Sequence, residues 1–206
     1  MHWWRTVHKM RTCIVNPSRC GSTLLLCILD KYFRLRKTPR YEMEYEVINN
    51  EVGRELLKKH KYNNFLFKYQ YLFSHKSLLG ADKYIVIDRK DKDAWTYSSF
   101  HAWINEHPHG KLDLNREYLT DKKTLQVHRE NLMNCLPSWE KEKARLISQG
   151  AVSLWYEDIK DKTAMEILEM CGFPTFESFD KDDLYFRGVK LEKVWSSKAN
   201  YKEVVI

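Results

Sequence analysis

Apolar residues along this chain fall into two rhythms. Short runs rich in β-branched and aromatic side chains, Thr12–Asn16, Asn64–Tyr69, Lys83–Asp88 and Ala151–Tyr156, read as strands. Between them lie stretches with helical spacing: Ser22–Phe33, Asn50–His60 with Val52, Leu56 and Leu57 on one side, and Lys92–Asn105. Thr120 is placed to N-cap a long helix through about Ser148, which Pro137 should break or kink. Asp161 is placed to cap a helix to Cys171, with Gly172 at the C′ position and Pro174 just beyond. Strands that are continuous apolar runs are buried on both faces. Separated by helices, they imply an α/β fold: a central parallel sheet with helices on both faces in three layers. No linker, repeat or low-complexity tract divides residues 1–206, so a single domain is expected. Ligands in such folds bind beyond the carboxyl ends of the strands. The loops after Asn16, Asp88 and Tyr156 are therefore the places to look for chemistry.

Composition narrows the classes. Hydrophobic residues make up 43% and charged residues 31%, a globular balance rather than a disordered one. The longest apolar run, Leu24–Leu29, is far short of the ~18–20 residues a membrane span needs. The opening Met1-His-Trp-Trp-Arg5 has no apolar core of signal-peptide length. Five cysteines (13, 20, 27, 135, 171) without a C-x-x-C pair point to reduced thiols and a cytoplasmic setting, not to a disulfide framework or a zinc ribbon. The formal charge of +7 is concentrated. Residues 1–40 hold nine Lys and Arg against one acid, Asp30, and the remainder holds 26 cations against 27 anions. Such a patch predicts an anionic partner, and the expectation is that it surrounds the loop after the first strand.

That loop, Asn16-Pro-Ser-Arg-Cys-Gly-Ser-Thr23, passes from strand to helix. Backbone N–H groups at a helix start, together with the helix dipole, suit a phosphate or sulfate group. Gly21 permits close approach, Ser22 and Thr23 add hydroxyls, and Arg19 adds charge. Aligned with the nucleotide-triphosphate pattern G-x-x-x-x-G-K-[ST], the first glycine becomes Asn16 and the lysine becomes Ser22, which argues against an ordinary kinase or ATPase.

Arg19-Cys-Gly-Ser-Thr-Leu-Leu25 resembles the R-x-G-[ST]-T-L-L loop of sulfotransferases that use 3′-phosphoadenosine-5′-phosphosulfate. Arg89-Lys-Asp-Lys-Asp-Ala-Trp-Thr-Tyr-Ser98 is similar to that family's 3′-phosphate segment, in which an arginine ends a strand and a serine lies on the next helix. The R-x-D-x-x-x-Q-A-x-S pattern of the bacterial carbohydrate sulfotransferase branch fits Arg89, Asp91 and Ser98, with Trp95 where the pattern has glutamine. Leu154-Trp-Tyr-Glu-Asp-Ile159 resembles the Y-E-D-L segment, followed as in the family by a helix and a G-F-P turn, here Gly172-Phe-Pro174. The resemblance implies a P-loop-nucleotide-hydrolase-like fold. It assigns Ser18, Arg19, Cys20, Gly21, Ser22 and Thr23 to the 5′-phosphosulfate and Arg89 and Ser98 to the 3′-phosphate. Glu157 and Asp158 are expected to brace neighbouring loops.

The implied reaction is sulfuryl transfer to a hydroxyl or amine of a carbohydrate or small-molecule acceptor, without a metal. Arg19 would act at the leaving-group side. For the general base the family pattern after the first helix points to Glu42, with Glu44 second; His101, one turn beyond Ser98, is the alternative. Alternation at positions 42, 44 and 46 equally suits the exposed face of a strand. The expected partners are the nucleotide donor and the acceptor, with neither nucleic acid nor membrane involved; the small size suits a compact acceptor site or one completed by a second copy of the chain. Two other classes fit the same loop: an atypical nucleotide kinase or NTP hydrolase, and a non-catalytic nucleotide or nucleic-acid binding module.

Overall fold

A computed structural model describes residues 10–44, 47, 51–60, 63–71, 80–104, 118–174, 178–180, 184–186, 189–190 and 201–204. The elements in order are β1 (Arg11–Asn16), α1 (Ser22–Leu35), β2 (Tyr41–Glu44), α2 (Glu51–Lys59), β3 (Asn64–Gln70), β4 (Lys83–Asp88) and α3 (Lys92–Ile104). They continue with β5 (Tyr118–Asp121), α4 (Lys122–Ser148), β6 (Val152–Trp155), α5 (Tyr156–Ile159), α6 (Ala164–Met170), β7 (Tyr185–Phe186), β8 (Val189–Lys190) and β9 (Tyr201–Val204).

Five strands form one parallel sheet in the order β2-β3-β1-β4-β6. Alternation along the strands sorts their side chains onto two apolar layers. Ile14, Leu66, Ile85 and Ile87 face the layer shared with α1, α6 and Trp95 of α3. Cys13, Val15, Phe65, Phe67 and Val86 face the other, with Leu56 and Leu57 of α2 and Trp139 and Leu146 of α4. The expected three-layer α/β architecture is therefore observed. Among the described residues no helix is long and apolar enough to cross a membrane.

Strand order also locates the crevice. From β1 the chain leaves toward β2, and from β4 it leaves toward β6, on the opposite side. Adjacent strands whose connections diverge open a gap beyond their carboxyl ends. The Asn16–Ser22 loop and the Asp88–Asp91 turn border that gap.

Three boundaries differ from expectation. Thr120 caps no helix; it lies in β5, whose backbone pairs in parallel with β9. Pro137 does not end α4, whose 27 residues run through it from Lys122 to Ser148. The helix expected to start at Asp161 starts at Ala164, because Thr163 and Glu166 form a reciprocal capping box: Glu166 N–H donates to Thr163 Oγ1 at 3.2 Å and Thr163 N–H to Glu166 Oε2 at 2.8 Å. The C-terminal end of α6 is as expected, with Gly172 left-handed at φ 69°.

Candidate functional site

The loop after β1 is built from left-handed backbone. Ser18, Arg19 and Gly21 have φ of 85°, 51° and 76°. Successive residues of this kind turn N–H groups toward one concavity. Its shape is fixed from inside. Asn16 Oδ1 accepts from the Ser18 N–H at 2.8 Å, while Asn16 Nδ2 donates to the Tyr69 carbonyl on β3 at 3.2 Å. The Ser18 carbonyl accepts from the Trp95 indole at 3.0 Å and from the Cys20 thiol at 3.0 Å. Cys20 is buried, and its thiol is pushed well up, first by burial and then by the Asp88 charge. The Cys20 side chain therefore anchors the loop, leaving only its backbone for a ligand. Ser22 is likewise buried.

Gly21 is required twice over. Its left-handed φ disfavours any side chain, and a Cβ there would lie 2.6 Å from Tyr156 Cδ2. The Tyr156 ring, placed at the tip of β6, lies against the loop on one side and carries the Arg89 guanidinium at 4.9 Å. Arg89 is buried, its Nε is 3.8 Å from Glu157 Oε1, and that Nε has no hydrogen-bond partner. Glu157 accepts the Lys90 and Asp91 N–H groups at 2.9 and 3.1 Å, and Asp158 pairs with Lys90 Nζ at 2.6 Å. Both acids thus brace the neighbouring turn, as expected from the sequence.

Ser98 is buried and its Oγ accepts from Arg19 Nε at 3.2 Å. The two segments singled out for phosphate binding, 79 residues apart, are in direct contact. Trp95 belongs to the core and braces the loop through its indole.

Asp88 was not anticipated. It ends β4 beside Arg89 and is 1% exposed. Oδ1 accepts the Arg89 N–H at 2.7 Å and Lys92 Nζ at 3.1 Å; Oδ2 accepts Trp139 Nε1 at 3.0 Å and Lys143 Nζ at 2.8 Å. Burial pushes this carboxyl up, but hydrogen bonds from Lys143, Trp139 and the Arg89 amide, with the Lys92 charge, outweigh it and hold it below the ordinary carboxylate range. A carboxylate ending an apolar strand was a visible signal; its partners on α4 were not.

Glu42 and Glu44 lie away from the loop. The register places Glu42 opposite Phe65, and Phe65 opposite Arg11, at the amino end of the sheet. That is five residues, about 16 Å, from the loop. Glu42 is instead engaged there by Asn63 Nδ2 at 2.6 Å and His60 Nδ1 at 3.1 Å. Glu44, level with Phe67 and Cys13, is three residues or about 10 Å short of the loop. His101 lies on α3, with its side chain outside the described residues.

Charge is distributed differently from the expectation. Among the described residues most of the basic residues do not surround the loop: α1, 14 residues and about 21 Å long, carries Lys31, Arg34, Arg36, Lys37 and Arg40 to the amino end. The carboxyl end has local cations instead: Arg19, Arg89, Lys92 and Lys143. Among the described residues no group of three His, Cys, Asp or Glu side chains could hold a metal ion. Compared with known proteins, the chain matches no family model, no curated protein and no solved structure.

Proposed function

We propose that this chain is a sulfotransferase that moves a sulfuryl group from 3′-phosphoadenosine-5′-phosphosulfate to a hydroxyl or amine of a carbohydrate or small-molecule acceptor. The observation that carries this reading is the 3.2 Å bond between Arg19 Nε and Ser98 Oγ. It joins the two segments whose residues resemble the 5′- and 3′-phosphate contacts of that family. The loop amides and Arg19 would hold the 5′-phosphosulfate; Arg89 and Ser98 would hold the 3′-phosphate.

In the transfer, the sulfur–oxygen bond to the 5′-phosphate breaks and a new one forms to the acceptor oxygen or nitrogen. The acceptor proton passes to a base, and adenosine 3′,5′-bisphosphate leaves. Charge building on the bridging oxygen is what Arg19 and the amides would stabilise. In this reading the base is His101, three residues beyond Ser98 on α3, rather than Glu42, whose register places it five residues along the sheet from the loop.

Calorimetric titration tests the cofactor site. Adenosine 3′,5′-bisphosphate should bind, and Arg89→Ala should weaken it by about tenfold or more, the loss of one charge-assisted hydrogen bond. No binding, or unchanged binding in Arg89→Ala, would remove the reading. Tighter binding of ATP with Mg²⁺ would replace it by a kinase or hydrolase. Mass spectrometry for an added sulfuryl group across a panel of acceptors tests the activity. His101→Gln should then abolish turnover while bisphosphate binding survives.

A further inference from the structure

Three helices end at the amino end of the sheet with the same backbone device. After α4, Gly150 and Ala151 N–H donate to the Ile147 and Leu146 carbonyls at 2.9 and 3.0 Å. After α6, Gly172 and Phe173 donate to Glu169 and Leu168 at 2.8 and 2.9 Å. After α1, Lys37 and Thr38 donate to Arg34 and Phe33 at 2.9 and 3.1 Å. This cap puts its C′ residue in the left-handed region, where glycine is favoured. Two of the three have glycine, with φ of 88° and 69°; α1 has Lys37 at 49°, and Arg40 repeats the choice at 49°. The loop thus keeps cations at two positions where its own backbone favours glycine.

Those cations face solvent. Arg34, Arg36, Lys37 and Arg40 are exposed. Acids near them are engaged: Asp30 by Arg34 at 2.9 Å and the Tyr41 hydroxyl at 2.8 Å, Asp82 by Arg11 at 3.4 Å, Glu42 by Asn63 and His60. Glu169, exposed in the last turn of α6, is a countercharge on the same end. Among the described residues, Lys31, Lys37 and Arg40 form no ion pair.

We propose that this end of the sheet is a docking surface for an anionic lipid bilayer. Exposed Lys and Arg concentrated at one end of a fold are what a negatively charged headgroup layer attracts. A nucleic acid is less well served. Tyr32 and Phe33 are buried and Tyr41 is held on Asp30, so the rings of this segment are not presented for stacking on unpaired bases. Docking here would leave the crevice at the opposite end open to solvent. Nothing on this surface requires a particular ligand in the crevice.

Sedimentation with vesicles tests it on the full chain. Phosphatidylserine-containing vesicles should carry the protein down, pure phosphatidylcholine vesicles should not, and added salt should release it. Arg36→Gln, Lys37→Gln and Arg40→Gln together should weaken binding by about a hundredfold, while bisphosphate titration at the crevice is unchanged. Should that triple variant fold poorly, Lys37→Gly with Arg40→Gly removes two charges at positions that suit glycine, and binding should fall by about 25-fold. Equal binding to neutral vesicles, unchanged binding in both variants, or tighter binding to a single-stranded RNA oligonucleotide at equal phosphate would overturn it.

Discussion

The two ends of the parallel sheet handle charge in opposite ways. At the carboxyl end the charged groups beside the loop are held by partners: Asp88, buried, alone holds two lysines, an indole and a backbone amide, and Glu157 holds two amides beside Arg89. At the amino end Lys37 and Arg40 stand exposed without an ion pair among the described residues. A count of charge along the chain puts the excess in residues 1–40, but the count says nothing of geometry. One helix of about 21 Å separates the loop after β1 from most of that charge. Charge density in sequence and charge density in space are different quantities wherever a helix intervenes.

If the carboxyl end is the rigid one, its substitutions should cost most. Asp88→Asn leaves Lys143 buried without its carboxylate, and urea unfolding should show a loss of about 3–5 kcal/mol. A loss below about 1 kcal/mol would mean that Glu140, 2.8 Å from Lys143, suffices as partner. The same variant carries a pH signature. Because Asp88 titrates below the unfolded carboxylate, its contribution is present above the ordinary carboxylate range and is lost as pH falls through the folded value. Asp88→Asn should therefore show a flatter acid limb of stability than the parent.

Gly21→Ala comes next, at about 1–3 kcal/mol for left-handed strain alone, with weaker bisphosphate binding. Adding Tyr156→Ala should recover part of that loss; strict additivity would show that the 2.6 Å contact is not its source. At the amino end the sign should reverse. Lys37→Gly should stabilise by about 1 kcal/mol in thermal unfolding, and destabilisation would break the contrast between the ends. Glu42→Gln should be smallest, within about 0.5 kcal/mol, with bisphosphate affinity and turnover unchanged. Lost turnover in that variant would restore Glu42 to the reaction.

The layers and the crevice were legible because they follow from periodicity: Lys83–Asp88 is apolar and β-branched, and its structure matches residue for residue. The loop was legible because Gly21 and Arg19 sit at a strand-to-helix transition. Thr163-Ala-Met-Glu166 carries a capping-box pattern that placing the cap at Asp161 passed over. The Asp88 partners were not legible. Trp139 and Lys143 share a helix face 51 and 55 residues away, and nothing local ties that face to β4. The level of Glu42 was hidden for a related reason: proximity to the first helix in sequence says nothing of which end of a strand a residue occupies. That depends on register with β3, a non-local pairing.

The Asp88 carboxylate has one more consequence, in the opening of the native state. α4 spans 27 residues, yet two of its side chains converge on this one group at the end of β4. Detaching that stretch of α4 exposes the carboxylate that orders the Arg89 amide, so helix and crevice rim belong to one cooperative unit. Amide hydrogen exchange should give the central part of α4 and the Asp88–Asp91 turn a common opening free energy, which ligand at the crevice would raise in both together.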